Sequence, residues 1–231
     1  MVVAIDGPAA SGKSSTAQWV AAELGFRHVD SGSLYRAVTA AALDAPAAPV
    51  QWTADVVLEQ ARRVTLSPGD TSFTPQLDGK DVTEVIRGNG VTAHVSQVAQ
   101  MQMVRGWVNA RVREVATRFD VVVDGRDMGT AVFPDADLKV FLVADPWERA
   151  RRRLVQRLVR RPTDDEIAQE TEVLVRRDAA DATQTLQARD AVLVDTTSLT
   201  QAEQVERIVA LAKAALRVQG EDGRGALPTA D

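Results

Sequence analysis

The chain has 231 residues, 45% of them hydrophobic and 26% charged, with a formal net charge of −5. That balance suits a soluble globular protein with a sizeable core and argues against general nucleic-acid binding. No cysteine and only two histidines, His28 and His94, exclude disulfides, thiolate metal sites and a cysteine nucleophile, and disfavour a histidine triad or metal centre. No apolar run reaches the roughly 18 residues needed to cross a membrane. Met1 leads straight into an apolar strand, so no signal peptide is expected and the cytoplasm is the expected location.

Val2-Val3-Ala4-Ile5 reads as a short buried strand, and Ser15 to Leu24 has helical spacing at Ala17, Val20, Ala21 and Leu24. Between them Gly7-Pro8-Ala9-Ala10-Ser11-Gly12-Lys13-Ser14 fits the phosphate-loop pattern G-x-x-x-x-G-K-[ST] in the strand–loop–helix setting that the pattern requires. Gly7 and Gly12 let successive N–H groups point into one concavity, and the helix start adds its positive dipole end. Lys13 supplies a mobile charge for the outer phosphates, and the Ser14 hydroxyl suits Mg²⁺. Residues Gly7 to Ser15 are therefore the candidate nucleotide-phosphate site.

Arg27 to Asp30 reads as a second strand ending at Ser31-Gly32, and a helix follows through Leu34, Val38 and Ala42. Pro46 and Pro49 interrupt, and Ala54 to Val64 is helical again. From Thr65 to Arg87 the pattern changes to a small antiparallel meander, with turns at Pro68-Gly69-Asp70 and Asp78-Gly79. Val91 to Ala99 and Val104 to Phe119 are helical. Val121 to Asp124 and Leu138 to Val143 are the third and fourth strands. Two strongly charged helices, about 147–160 and 164–177, precede a fifth strand at Ala191 to Asp195 and a last helix at Gln201 to Leu216.

Short apolar strands alternating with helices imply an α/β fold. The expectation is a three-layer α/β/α phosphate-loop domain with a five-stranded parallel sheet. Ligands of such sheets bind beyond the carboxyl ends of the strands. That places Asp30-Ser31, Asp124 to Asp127 and the phosphate loop together, with Asp145 as a weaker candidate.

Asp30-Ser31-Gly32-Ser33-Leu34-Tyr35-Arg36, then Ser96-Gln97-Val98-Ala99 with Arg105, then Asp124-Gly125-Arg126-Asp127-Met128-Gly129-Thr130-Ala131-Val132-Phe133-Pro134-Asp135 resemble the bacterial cytidylate kinases. The likeness is to the type with an insert in the region that binds the nucleoside monophosphate (NMP). It runs in order from Val2 to about Ala215. It implies a single kinase domain over 1–217, with core segments 1–32, 88–145 and 190–217. An NMP-binding region would cover 33–87, with the antiparallel insert at about 65–87. A helical lid would cover about 149–184, and 218–231 would be a disordered tail.

The activity that the resemblance implies is transfer of the γ-phosphoryl group of ATP to CMP or dCMP by a cytoplasmic monomer, with Mg²⁺, and with no nucleic-acid or membrane partner. Lys13, Arg126 and Arg177 become the catalytic cations. Arg153 and Arg157 of the lid approach ATP. Ser31, Tyr35, Arg36, Ser96, Arg105, Arg126, Asp127 and Asp181 bind CMP, with Arg36 and Arg126 on its phosphate, Asp181 on the sugar, and Ser96, Arg105 and Asp127 on the base. Arginine suits the phosphate role because its planar fork stays charged and grips two oxygens. A carboxylate facing cytosine N4 with a guanidinium facing N3 and O2 would suit cytosine and repel uracil.

The seven lid arginines from Arg149 to Arg161 would repel one another in the empty enzyme, and the lid's few apolar positions would leave it free to move. One position departs from the family: Gln184 stands where many members carry an arginine, seven residues after Arg177. Either Arg189 or an arginine of the first lid helix replaces that charge, or the acceptor phosphate has one fewer cationic contact. The rival readings are another phosphate-loop kinase, for UMP, shikimate or gluconate, and a regulatory GTPase. The GTPase lacks support because neither asparagine, Asn89 nor Asn109, opens the Asn-Lys-x-Asp guanine motif.

Overall fold

The computed structural model describes residues 1–222. A central parallel sheet is built from β1 (Val2–Asp6), β2 (Arg27–Asp30), β6 (Val121–Asp124), β7 (Leu138–Val143) and β8 (Val192–Asp195), in the order β2-β6-β1-β7-β8. This is the expected five-stranded α/β/α architecture.

The pleat explains why the strands are continuous apolar runs. Val3, Ile5 and Val122 face one core with Ala17 and Val20 of α1 (Lys13–Leu24) and Ile208 of α8 (Gln201–Asp222). Ala4, Val121 and Val123 face the other core. That second core holds α2 (Ser31–Leu43), α3 (Ala54–Ala61), α4 (Asn89–Gln100) and α5 (Gln102–Ala116). Only the outer strand β8 leaves a large apolar side chain, Leu193, half exposed.

The insert is a three-stranded antiparallel sheet of β3 (Val64–Pro68), β4 (Phe73–Leu77) and the very short β5 (Lys80–Asp81). Asp78 and Gly79 both take positive φ, 51° and 76°, as a tight hairpin turn between twisted strands requires. The segment Val85–Arg87, expected within the meander, is instead a 3₁₀ turn. The β3–β4 loop docks on the edge of the main sheet, where His28 N donates to Thr71 O at 2.9 Å.

The charged helices are α6 (Pro146–Leu158) and α7 (Asp164–Asp181). Asp145 caps α6 by accepting from Trp147 N and Glu148 N, with Pro146 at the first helical position, so its role is structural. Thr163 and Glu166 form a reciprocal capping box on α7. The last helix continues five residues past the expected boundary at 217, through Gly220 to Asp222. The rest of the expected tail, 223–231, lies outside the described residues.

Candidate active site

Three neighbouring strands, β1, β6 and β2, end in aspartates: Asp6, Asp124 and Asp30. The register sets Ile5 opposite Asp124, and Asp124 opposite Asp30. The phosphate loop rises from the end of β1. Gly7 has φ 148°, and a Cβ there would run into the Leu142 carbonyl oxygen of β7, so both backbone and space demand glycine. Ala10 holds a left-handed φ of 59°, a strained state for alanine of the kind that clusters at ligand clamps. Helix α1 then opens at Lys13 with neither a side-chain cap nor an acidic residue in its first turn, which leaves its dipole end to an anion.

Lys13 Nζ donates to Pro8 O at 2.7 Å. Burial lowers its pKa to about 8, and the charge of Arg126 adds to this, while Asp124, Asp6 and Asp30 pull the other way. Beneath it Asp6 is buried and accepts from Met128 N (2.8 Å) and Gly129 N (2.7 Å). Burial nevertheless lifts Asp6 to about 6. Burial and the neighbouring charge of Asp124 lift Asp30 to about 6 as well. Its Oδ1 caps α2 by accepting from Ser33 N at 3.0 Å.

Asp124 is a hub. Its Oδ2 accepts from Ser14 Oγ at 2.6 Å, its Oδ1 lies 2.7 Å from His28 Nε2, and its carbonyl accepts from Ser31 Oγ at 2.8 Å. Burial disfavours a charge on His28, yet the hydrogen bond and charge of Asp124 win and raise its pKa. Gly125 follows, where a Cβ would come within 2.6 Å of Ser31 Oγ and 2.8 Å of Met128, so the chain can pass between them only without a side chain. Ser14 Oγ and Asp124 Oδ2 are hard oxygen donors side by side, a set that fits Mg²⁺, which takes one or two protein oxygens and completes its shell with phosphates and water. Among the described residues no group of three or more His, Cys, Asp or Glu could hold a metal ion alone.

Across the cavity Arg105, on α5, pairs with Asp127 and donates through Nη1 to Ala99 O (3.1 Å) and Gln184 Oε1 (2.9 Å). Its guanidinium lies 5.9 Å from the Tyr35 ring centroid. Burial raises the Tyr35 hydroxyl to about 12, and that buried oxygen has no hydrogen-bond partner among the described residues. Arg126 pairs with Asp181 at 2.8 Å, and Arg177 Nε is 3.7 Å from the same carboxylate. Arg36 donates to Ile86 O and Thr92 Oγ1, both at 3.2 Å. Burial and the like charge of Arg177 lower its pKa. Ser96 stands exposed at the cavity edge.

All the candidate residues except Gly7, Pro8, Ser11 and the helix cap Asp145 line one cavity of about 1580 Å³. Arg189 is not among the lining residues, whereas Arg153 and Arg157 are.

The lid differs from expectation. Six of the seven arginines are paired with carboxylates: Arg153 and Arg157 share the buried Glu170 at 3.0 and 3.3 Å, Arg151 and Arg152 share Glu148, Arg160 holds Glu166, and Arg149 holds Asp178. Ala150, Leu154, Ile167 and Leu174 form a small core with Ala9 of the phosphate loop. Arg149 is a buried anchor, donating to Ala9 O at 2.8 Å and pairing with Asp178 at 2.7 Å. The partners missed in the sequence, Asp6, His28 and Glu170, are single residues outside any motif.

Lys13, Arg36, Arg126 and Arg177 gather in one cavity with the uncapped start of α1, a set suited to positioning and screening phosphoryl groups. The protein's class is phosphotransferase, of the nucleoside monophosphate kinase type. A family model described as cytidylate kinase matches residues 3–214. Curated relatives named cytidylate kinase include one from Geobacillus kaustophilus, 42% identical over 90% of this chain and 94% of the relative. Another, from Chlorobaculum tepidum, is 38% identical over 89% of each. This chain belongs to the cytidylate kinase family. Solved structures of a shikimate kinase from Bacteroides thetaiotaomicron and a gluconokinase from Sinorhizobium meliloti 1021 are more distant. They are 17% and 16% identical, with TM-scores of 0.45 and 0.42, over 94% and 95% of this chain and 98% and 96% of theirs.

Proposed function

We propose that the chain transfers the γ-phosphoryl group of ATP to CMP or dCMP, giving ADP and CDP or dCDP. The observation that carries this reading is Arg105 paired with Asp127 in the same cavity as Lys13, in a chain of this family. The family match favours it over a shikimate or gluconate acceptor.

The loop from Gly7 to Ser15 wraps the donor phosphates, Lys13 reaches their outer oxygens, and Arg153 and Arg157 approach from the lid. Arg36, Arg126 and Arg177 hold the acceptor phosphate, whose oxygen attacks the γ-phosphorus in line. Negative charge spreads over the transferring group, and Lys13, Arg126 and Arg177 stabilise it from fixed positions, which costs no reorganisation in the transition state. Ser14 and Asp124 would hold Mg²⁺, which when bound with ATP screens the phosphate charges. Ser31 and Asp181 meet the sugar, and Tyr35 walls the base pocket.

Base selection rests on complementarity. Asp127 accepts from cytosine N4, where uracil presents a carbonyl oxygen, and Arg105 with Ser96 meets N3 and O2. Arg105 and Asp127 satisfy each other, so neither charge is buried alone. The core, the NMP-binding region at 33–87 and the lid at 149–184 work as three parts of one domain, as a cytoplasmic monomer. Among the described residues no helix is long and apolar enough to cross a membrane. Asp127→Asn tests the reading. The amide can turn either a donor or an acceptor to the base, so the CMP:UMP ratio of kcat/KM should fall by about tenfold or more. An unchanged ratio would move base selection to other residues.

A further inference from the structure

The turn that leaves α7 touches both sides of the acceptor site. Asp181 pairs with Arg126, and Thr185 Oγ1 accepts from Arg126 Nη1 at 3.3 Å. Three residues after Asp181, Gln184 Oε1 accepts from Arg105 Nη1 at 2.9 Å. The turn is closed by its own backbone, with Gln184 N and Thr185 N donating to Asp181 O at 2.9 and 3.0 Å. Arg105 is thereby held from three directions: Asp127 of the strand-end loop, Ala99 O at the end of α4, and Gln184 of the lid exit.

An arginine at position 184 has no acceptor atom and carries a like charge, so it could not make this bond. The amide of glutamine can. Nη1 has two hydrogens, one for Ala99 O and one for Gln184 Oε1. Removing the latter leaves Nη1 held by Ala99 O alone, so the plane of the guanidinium is less firmly fixed about its bond to Asp127. We infer that Gln184 is a specificity-determining positioning residue: it fixes the plane of Arg105 against the base, so that base selection depends on a side chain at the end of the lid. This rests on the reading that Arg105 and Asp127 face cytosine.

The test is steady-state kinetics with CMP and UMP on the wild type, Gln184→Leu, Gln184→Ala and Gln184→Glu, each first matched to the wild type by thermal unfolding. Leucine keeps the bulk and loses the acceptor. Its CMP:UMP ratio of kcat/KM should fall about tenfold, as loss of one hydrogen bond to a charged group implies, chiefly through a higher KM for CMP. Alanine should do the same. Glutamate keeps an acceptor oxygen and should retain the preference. A Leu or Ala variant with the wild-type ratio overturns the inference, as does one that slows CMP and UMP equally. A wild type that does not prefer CMP to UMP overturns the site reading beneath it, which separates the two failures.

Discussion

Arg126, in the loop after β6, holds Asp181 at the end of the lid helix α7 with a separation of 2.8 Å. The side chain assigned to an acceptor phosphate is thus already engaged by a carboxylate, and the lid is tied to the core through it. Burial and the nearby charge of Arg177 weaken the hold of Arg126 on its proton, partly offset by Asp181. On the proposed reading, an arriving phosphate would displace the Asp181 carboxylate from Arg126.

On the proposed reading, closure of the α6–α7 hairpin exchanges partners rather than relieving repulsion. Glu170 holds Arg153 and Arg157, and nucleotide phosphates would compete for them. Amide hydrogen exchange across 149–184 should slow markedly with ATP and CMP together, and less with CMP alone. Equally slow exchange without ligand would make the hairpin a fixed part of the core.

Lys13 stands alone as the lysine of the site, since Lys80 is the next in the chain. Lys13→Ala should lose at least about 100-fold in kcat, the scale for removing a preorganised charge from a developing oxyanion. A folded variant of full activity would remove Lys13 from the mechanism.

The lowered pKa of Lys13, about 8, makes ATP binding proton-linked. Phosphate beside the ammonium favours its charged form and lifts the pKa in the complex. The added affinity is fully present below about pH 8 and declines as pH rises through that value towards the pKa of the complex. Calorimetry at pH 8 in buffers of different ionisation enthalpy should show net proton uptake, reduced in Lys13→Met. Binding with no buffer dependence would refute the linkage at Lys13.

Arg149 is predicted to matter for stability. Arg149→Met would leave the Ala9 and Ala144 carbonyls without their side-chain donor and Asp178 without its cation, with only the Ala9 N–H remaining on that carboxylate. The expected cost is about 3 kcal/mol, or a fall in Tm of roughly 6–12 °C at this chain length. Thermal unfolding checks it, and a Tm within about a degree of the wild type would show the pair to be dispensable.

The strands were legible because both faces of a parallel sheet are covered, which turns Val121 to Val123 into an unbroken apolar run. The candidate residues that line the cavity were legible because they follow strand ends or lie in motifs. Pairings set by tertiary structure were not. His28 and Asp124 are 96 residues apart, and counting histidines in search of a metal site or triad misses an imidazole whose work is to hold one carboxylate. Glu170 reads locally as a surface charge on α7, and only the packing of α6 against it makes it the partner of two arginines. The end of α8 was misplaced because Gly220 weakens a helix by only about 1 kcal/mol, too little to end it.

The most direct measurement is ADP formation by the full chain with ATP and Mg²⁺, offering CMP, dCMP, UMP, AMP, GMP and shikimate in turn at equal concentration. CMP and dCMP should give the highest kcat/KM, with UMP lower by about tenfold or more, since its base leaves Asp127 and Arg105 mismatched. Faster turnover of AMP, GMP or shikimate than of CMP would contradict the account.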